Sequence, residues 1–490
     1  MARTTALVAL MLLTACNRNT DGGKAAPDSG EDKPGSGGAC ATTFRYTPTG
    51  DTPPDNVAVA GIFNNWDAEA NPLIEVSSGV WEGTVDLPPG AHPYKFVEVT
   101  EWSMGERFEG FVCDPDADLI HCEDGYKEPW ELDWSHTCGS GTESTCNSLK
   151  IVADCAVPTL KVDRLTVDRA GGTLDLSISG VAGDGGAIAD VQATLDGSSI
   201  AVSWTGTTGT VRATGLDSGR HTLRVDATDA GGNTAEQLYV PVWMDGAGGT
   251  PFREGSIYFA FVDRFANGDV SLDGSEGATA PIADYAGGDF AGVTQMLDYL
   301  DDLGVRTIWL SNPQDNAEGA WAGDCDAVYA GYHAYWPDQA RGIEEHFGSE
   351  ADLHTLVDGA HARGMRVIMD WVANHVHEDH PYMAHPEWFN DLAVCQDSSG
   401  GQSNWDRIPE SCWFAPYLPD IDYGQPEILH LMVDDALWWA KTYELDGLRV
   451  DAVKHMPHAV VWNLEQRIRN EIEHSEAGGD TEFWTVGETF

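Results

Sequence analysis

Basic residues are scarce. Only 27 of the 490 residues are Lys or Arg, against 79 Asp or Glu, for a formal net charge of −52. So little positive charge leaves no footprint for a phosphate backbone, which excludes nucleic acid as a partner. It equally excludes docking on anionic lipid headgroups through basic patches. Long apolar runs are also missing: residues 6–13 form one that is too short to span a bilayer, and none of spanning length follows. Apolar content itself is not lacking. Hydrophobic residues make up 42% of the chain, enough for packed cores and against global disorder. Trp is abundant at 18, and Trp both fills cores and stacks on sugar rings. The surplus acid reads first as solvated surface charge; only local carboxylate clusters would support cation binding. At roughly 150 residues per domain, the length suggests about three domains.

Residues 1–15 read as an export signal, with Arg3 as its weak positive start. Leu13-Thr14-Ala15-Cys16 resembles the lipobox of bacterial lipoproteins. The resemblance implies lipidation of Cys16 and a protein held outside the cytoplasm, on a bacterial membrane, by its lipid alone. An ordinary signal peptide with a chance Cys is the alternative. Residues 16–43 are polar and rich in Gly, Ser, Asp and Pro, as a flexible tether requires. Export turns the nine other cysteines into disulfide candidates rather than metal ligands. Spacing suggests Cys113–Cys122, Cys138–Cys146 and Cys395–Cys412, with Cys40–Cys155 a further pair. Nine is odd, so one thiol, for which Cys325 is the candidate, is free or paired outside this chain.

Residues 44–137 show short alternating runs broken by Gly, Pro and Asn, which predicts a β-sandwich with strands near 57–61, 80–87 and 93–99. A Cys-rich linker is expected over 138–157. A second, immunoglobulin-like β-sandwich is expected over 158–246, with a tight turn at Asp229-Ala230-Gly231-Gly232-Asn233. No catalytic constellation occurs in it, and a spacer role follows. From 250 to 490, apolar strand-like runs (257–262, 305–310, 367–372, 447–450, 483–486) alternate with helical patterns (292–303, 350–363, 426–443, 459–474). Such alternation predicts a parallel sheet. Ser349 and Asp352 form a capping box, Pro426 suits a first helical turn, and residues 376–424 interrupt the alternation as an inserted subdomain.

Polar residues gather at the carboxyl ends of these strands, where a (β/α)8 barrel builds its active site. The third strand ends in Asp370-Trp-Val-Ala-Asn374-His375. The fourth reads Gly447-Leu-Arg449-Val-Asp451-Ala-Val-Lys454-His455, and the fifth ends in Val486-Gly487-Glu488-Thr489. In this order they resemble conserved regions of the α-amylase family, glycoside hydrolase family 13. That implies a (β/α)8 TIM barrel of which five strands fall within this chain, and a retaining glycosidase built on two carboxylates roughly 5 Å apart. By the resemblance Asp451 is the nucleophile, held ionised by Arg449, and Glu488 is the acid/base, its pKa raised by a nearby carboxylate. Tyr332-His333-Ala334-Tyr335-Trp336 makes Tyr335 the sugar-stacking platform, with His333 and His375 bonding hydroxyls; Ala334 stands where the family has Gly. Lys454 and His455 would touch the leaving-group side.

The resemblance also implies Ca²⁺ as cofactor. One site would use Asn374, Asp422 in Leu418-Pro-Asp-Ile-Asp422, and the His455 carbonyl. A second would use Asn267, Asp269 and Asp289, with Asp273 and the Gly287 carbonyl; an Asn/Asp/Gly-rich turn without metal is the alternative there. Val59-Ala-Gly-Ile-Phe63-Asn64-Asn65-Trp66, Leu87-Pro-Pro-Gly90 and Tyr94-Lys95-Phe96 resemble family-48 carbohydrate-binding modules, including the glycogen-binding domain of AMP-activated kinase. Trp66 and Trp102 would then stack on glucose and Lys95 bond hydroxyls, unless the module has kept the fold and lost the binding. The family's third carboxylate, an Asp after the seventh strand, is expected beyond Phe490, in a longer protein. The expectation is a monomeric enzyme acting on α-1,4 bonds of starch, glycogen or maltodextrins. A surface glucan-binding lipoprotein with an incomplete barrel is the alternative.

Overall fold

A computed structural model describes residues 39–49, 53–101, 107–114, 117, 119–122, 146–152, 154–244, 252, 255–322, 327–395, 404–478 and 482–489. Cys16, Trp102, Cys138 and Cys325 lie outside them, as do the side chains of Cys122 and Cys146.

Eight strands make the first module: β1 (Cys40–Tyr46), β2 (Asn56–Gly61), β3 (Ile74–Ser77), β4 (Val80–Leu87), β5 (Gly90–Glu101), β6 (Arg107–Val112), β7 (Leu119–Cys122) and β8 (Cys146–Val152). One sheet runs β1-β4-β3; the other runs β2-β5-β8-β7, with β6 also on β5. Period-two alternation turns Cys40, Thr42, Phe44 and Tyr46 inward and their neighbours out. Phe44, Val59, Leu87, Tyr94 and Phe96 fill the core. The expected linker is only partly one. Its residues 146–152 form β8, antiparallel to β5, because Leu149 and Val152 are apolar and bury on that sheet. The Cys40–Cys155 disulfide closes the module at its edge, and Cys113 is also disulfide-bonded.

The second module holds β9 (Thr159–Asp168), β10 (Thr173–Val181), β11 (Ile188–Leu195), β12 (Ser198–Ile200), β13 (Val202–Thr205), β14 (Thr208–Thr214), β15 (Arg220–Asp229) and β16 (Leu238–Trp243). Sheets β13-β14-β10-β9 and β12-β11-β15-β16 enclose Leu174, Leu176, Ile178, Val211, Leu223 and Val240. The predicted turn forms: Asp229 accepts from the N–H groups of Gly231 and Asn233, 2.9 Å each.

The third module contains β17 (Ser256–Ala260), α1 (Val262–Phe265), α2 (Phe290–Gln295), α3 (Leu297–Asp302), β18 (Val305–Leu310), the hairpin β19 (Ala320–Ala322) and β20 (Val328–Ala330), and α4 (Glu350–His361). It continues with β21 (Arg366–Trp371), α5 (Asn404–Arg407), α6 (Pro426–Thr442), β22 (Gly447–Val450), α7 (His458–Glu471) and β23 (Trp484–Gly487). Five strands pair in parallel in chain order, β17-β18-β21-β22-β23. The predicted helix 292–303 is broken at Met296, whose ψ is 2°. Ser349 and Asp352 form the expected capping box. Helices α2, α4, α6 and α7 bury their apolar stripes on the sheet, and Trp371, Trp439, Phe290 and Leu448 are all at most 1% exposed.

The second module is more than a spacer. Arg220, 2% exposed, reaches from the start of β15 into the third module. It meets Glu444 at 2.6 Å and Asp446 at 3.3 Å, just before β22, and donates to the Tyr239 hydroxyl at 2.6 Å. Asp446 also accepts from His361 Nε2 at 2.8 Å and the Val367 N–H at 2.9 Å. One carboxylate thus joins α4, β21, β22 and the second module. Burial alone would raise its pKa; His361, Arg220 and the Val367 N–H together hold it below the usual carboxylate range. Its contribution is therefore present above about pH 3.9 and is lost as pH falls through the lower folded value. Arg220→Ala strands buried acid, and we expect a loss of about 3–5 kcal/mol. Calorimetric melting should show this loss at pH 7, with the gap to wild type narrowing below about pH 3.9; a gap independent of pH would refute the account.

Candidate active site

Strand register builds the site. Parallel pairing sets Asp370 opposite Arg449 across β21 and β22, and Arg449 opposite Val486 across β22 and β23. The last ladder bonds run from the Asp451 N–H to the Trp371 carbonyl at 2.9 Å and from the Glu488 N–H to the Val450 carbonyl at 3.0 Å. Both acids are therefore the first residues past their strands, where backbone pairing no longer dictates the chain's path. Period two puts Arg449 and Asp451 on one face. Strands β22 and β23 come this close because residue 447 is Gly: a Cβ there would lie 2.1 Å from the Trp484 carbonyl oxygen.

One guanidinium serves three carboxylates. Arg449 Nη1 donates to Asp370 Oδ1 and Asp451 Oδ1, each at 2.5 Å, and Nη2 meets Glu488 Oε2 at 2.9 Å. Burial pushes the Asp370 carboxyl up to about 7, helped by the charge of Asp451 and opposed by Arg449. Burial also raises Asp451, and Arg449 with the Glu488 hydrogen bond only partly offsets it. Arg449 alone thus does not hold Asp451 at an ordinary carboxylate value, because its charge is shared three ways. Glu488 is raised by burial and by Asp451, the direction a proton donor needs.

Asp370 was visible in the sequence only as an acid at a strand end. The structure makes it the hub of this cluster: it also accepts from the Tyr335 hydroxyl at 3.0 Å and from Trp309 Nε1 at 3.2 Å. Trp309 stacks on Phe259, with centroids 4.1 Å apart. Neither aromatic carried a sequence signal beyond its place in an apolar strand. Ala334, fully buried with φ of 70°, holds the turn that a glycine would adopt more easily.

Tyr335 is braced from two sides. Its N–H donates to His333 Nδ1 at 3.1 Å, and His375 Nε2 donates to its carbonyl at 3.0 Å. His375, expected on a sugar hydroxyl, spends its Nε2 on the Tyr335 carbonyl instead. Burial drives the pKa of His333 down to about 3 and of His375 to about 4. His333 Nε2 is buried without a hydrogen-bond partner. Lys454 meets Asp406 of α5 at 2.9 Å and lies 5.5 Å from the Trp405 ring. His455 Nδ1 donates to the Pro409 carbonyl at 2.9 Å. Both residues therefore anchor the inserted segment.

Of the first calcium set, Asn374 meets Asp420 rather than Asp422. Asn374 Nδ2 donates to Asp420 at 3.0 Å, and Asn390 Nδ2 donates to the other carboxylate oxygen at 2.8 Å. Asp422 accepts from the Gly424 N–H at 2.9 Å and Gln425 Nε2 at 3.1 Å, so it closes the turn ahead of α6. The reason is pairing: a backbone bridge between His375 and Asp420 seats Asp420 beside Asn374. These residues fit a hard cation. Asn374 Oδ1 is buried with no hydrogen-bond partner among the described residues, and burial holds the Asp420 carboxyl well above its usual range, as expected of an acid lacking a counter-charge.

The second set fits less well. Asp289 spends its carboxylate on the N–H groups of Gly268, Asp269 and Gly292, Asp269 accepts from Ser271, and Asn267 donates to Asp273. The turn is satisfied by its own hydrogen bonds. In the first module Trp66 is partly buried against Ala58, Ala60, Val97 and Val99. Lys95, expected to face sugar, is 6% exposed, on the β5 face that also carries Val97 and Val99.

Because the folded state binds the Asp370 proton more tightly than the unfolded chain, stability falls as pH rises from about 4 toward the folded value. Asp370→Asn keeps the shape and an acceptor for Arg449 and removes one crowded charge. We expect it to melt several degrees above wild type at pH 8, with the difference closing near pH 4.5. A variant less stable than wild type at pH 8 would contradict the crowding.

Residues 259–488 match the family model of the alpha amylase catalytic domain, and residues 40–114 match that of the glycogen recognition site of AMP-activated protein kinase. The chain is 28% identical over 321 residues to the periplasmic alpha-amylase of Escherichia coli (strain K12), covering 49% of this chain and 47% of that protein. It is 32% identical over 212 residues to alpha-amylase mde5 of Schizosaccharomyces pombe, covering 42% and 39%. The crystal structure of an Anoxybacillus alpha-amylase is 32% identical, covers 49% of this chain and 48% of that one, and superimposes with a TM-score of 0.40. The chain spans about half, or less, of the length of these curated relatives. Residues 259–488, with Arg449 at the centre of their strand-end carboxylates, are thus similar to alpha-amylase catalytic domains, and residues 40–114 to glycogen-recognition modules.

Proposed function

We propose that the whole protein is a retaining hydrolase of α-1,4-glucosidic bonds in starch, glycogen or maltodextrins, serving carbohydrate catabolism. The observation that carries this reading is the single guanidinium of Arg449 bridging Asp451 and Glu488 at adjacent strand ends. Retention needs one carboxylate to attack the anomeric carbon and one carboxyl to protonate the departing oxygen. Asp451, hydrogen-bonded to Arg449, suits the first task. Glu488, on the next strand and held protonated longer by burial, suits the second and then takes a proton from the incoming water. Tyr335, braced by His333 and His375, supplies the stacking face.

A calcium ion would be held by Asn374, Asp420 and the His455 carbonyl, where it would tie the inserted segment to the strand ends and neutralise buried acid. The resemblance of Leu13-Thr14-Ala15-Cys16 to a lipobox supports export and a lipid anchor on Cys16, and with them a proposed position outside the cytoplasm on a bacterial membrane.

In the full-length protein, Asp451→Asn should lower starch hydrolysis by about 10³-fold or more while leaving retention on amylopectin unchanged. Hydrolysis at the wild-type rate would remove Asp451 from the mechanism. Calcium should raise the melting temperature of EDTA-treated protein, and Asp420→Asn should abolish that rise. A rise of equal size in Asp420→Asn would place the ion elsewhere.

A further inference from the structure

Strand register decides what stands beneath the strand-end carboxylates. Parallel pairing sets Phe259 of β17 opposite Trp309 of β18, and Trp309 opposite Ile368 of β21. Asp370 lies two residues past Ile368 on the same face of β21 and pairs with Arg449 of β22. The Trp309 side chain therefore starts two residues, roughly 6–7 Å, short of the Asp370–Arg449 pair. A short side chain at 309 would stop below it. An indole reaches.

Trp309 touches both members of that pair with different parts of one ring system. Its Nε1–H donates to Asp370 Oδ2 at 3.2 Å, beside the Tyr335 hydroxyl at 3.0 Å. Its ring centroid lies 5.2 Å from the Arg449 guanidinium carbon, within cation–π range. On the β17 side the same indole stacks on Phe259, with centroids 4.1 Å apart and planes inclined by 28°. Asp370 Oδ2 is thus pinned by two neutral donors, which leaves Oδ1 a single direction toward Arg449 Nη1. Nη1 is shared with Asp451 Oδ1, and Nη2 meets Glu488. A shift of Asp370 would therefore turn the guanidinium away from both acids. An indole suits this place for an electrostatic reason. It favours a carboxylate at its N–H edge and a cation at its π face, yet adds no charge to a cluster of three acids on one cation.

We propose that Trp309 is a positioning residue of the hydrolytic site: its N–H fixes Asp370 and its face seats Arg449, so the guanidinium stays aimed at Asp451 and Glu488. The role rests on the α-glucan reading above and deepens it, because it names the residue on which the shared cation depends.

The full-length protein and its Trp309→Phe variant test this, since phenylalanine keeps a ring against Phe259 and loses the N–H donor. With maltoheptaose, kcat should fall about 10-fold, while KM stays within about twofold and the melting temperature near wild type. An unchanged kcat, or a loss carried by KM alone, would overturn the role. A second readout is independent of activity. With the tryptophan nitrogens isotope-labelled for NMR, the Trp309 indole resonance is the one missing from Trp309→Phe. It should move with pH as Asp370, raised by burial and by Asp451, takes up its proton, and should stop moving in Asp370→Asn. A resonance that titrates equally in Asp370→Asn would refute the contact. If the wild-type protein hydrolysed no α-glucan, the α-glucan reading would fall, and the indole titration alone would decide whether Trp309 holds Asp370.

Discussion

The Arg449 guanidinium carries one positive charge, and it faces Asp370, Asp451 and Glu488 within hydrogen-bonding distance. At these depths an isolated carboxylate is costly, and three cannot be satisfied by one cation. The cluster therefore retains protons at pH values where surface acids have lost them. That imbalance gives the site two kinds of carboxyl group. Asp451 accepts directly from Arg449, while Glu488 sits farther out, its side chain 18% exposed against 10% for Asp451. The difference in environment, rather than in residue type, sets the proposed nucleophile apart from the proposed acid.

Everything around the cluster fixes its geometry. Strand pairing sets the spacing of the three acids. Trp309 and Tyr335 clamp Asp370, and His375 clamps Tyr335. On the opposite side, Lys454 and His455 tether the inserted segment through Asp406 and Pro409. At the other end of the fourth strand, Asp446 fastens β22 to α4, β21 and Arg220 of the second module. The strand that carries Arg449 and Asp451 is thus held at both ends by charge-assisted hydrogen bonds, which keeps the carboxylate cluster preorganised.

The modules divide the work unevenly. The first offers a sandwich whose residues expected to face sugar are less open than motif matching implies, with Lys95 buried and Trp66 half-buried. The second sends Arg220 and Arg224 to the acid of residue 444. With so few basic residues in the chain, those two spent on one internal contact mark it as structural.

Much of this was legible in the sequence, for a physical reason. Strand-like runs such as residues 305–310 and 447–450, alternating with helical patterns, predict a parallel sheet, and β18 and β22 occupy those residues. Residues two apart on a strand share a face, so Arg449 and Asp451 belong together before any fold is known. Spacing within one element is local, and local geometry is written in order along the chain. What the chain order could not supply is which partner arrives from afar. Asp420 and Asp422 sit in one motif at equivalent spacing, and only the bridge to His375 selects Asp420. Asp370 and Arg449 lie 79 residues apart, and Arg220 and Glu444 lie 224 apart. Those contacts, and with them the raised pKa values of the site, exist only once the strands have been laid side by side and water has been removed from between them.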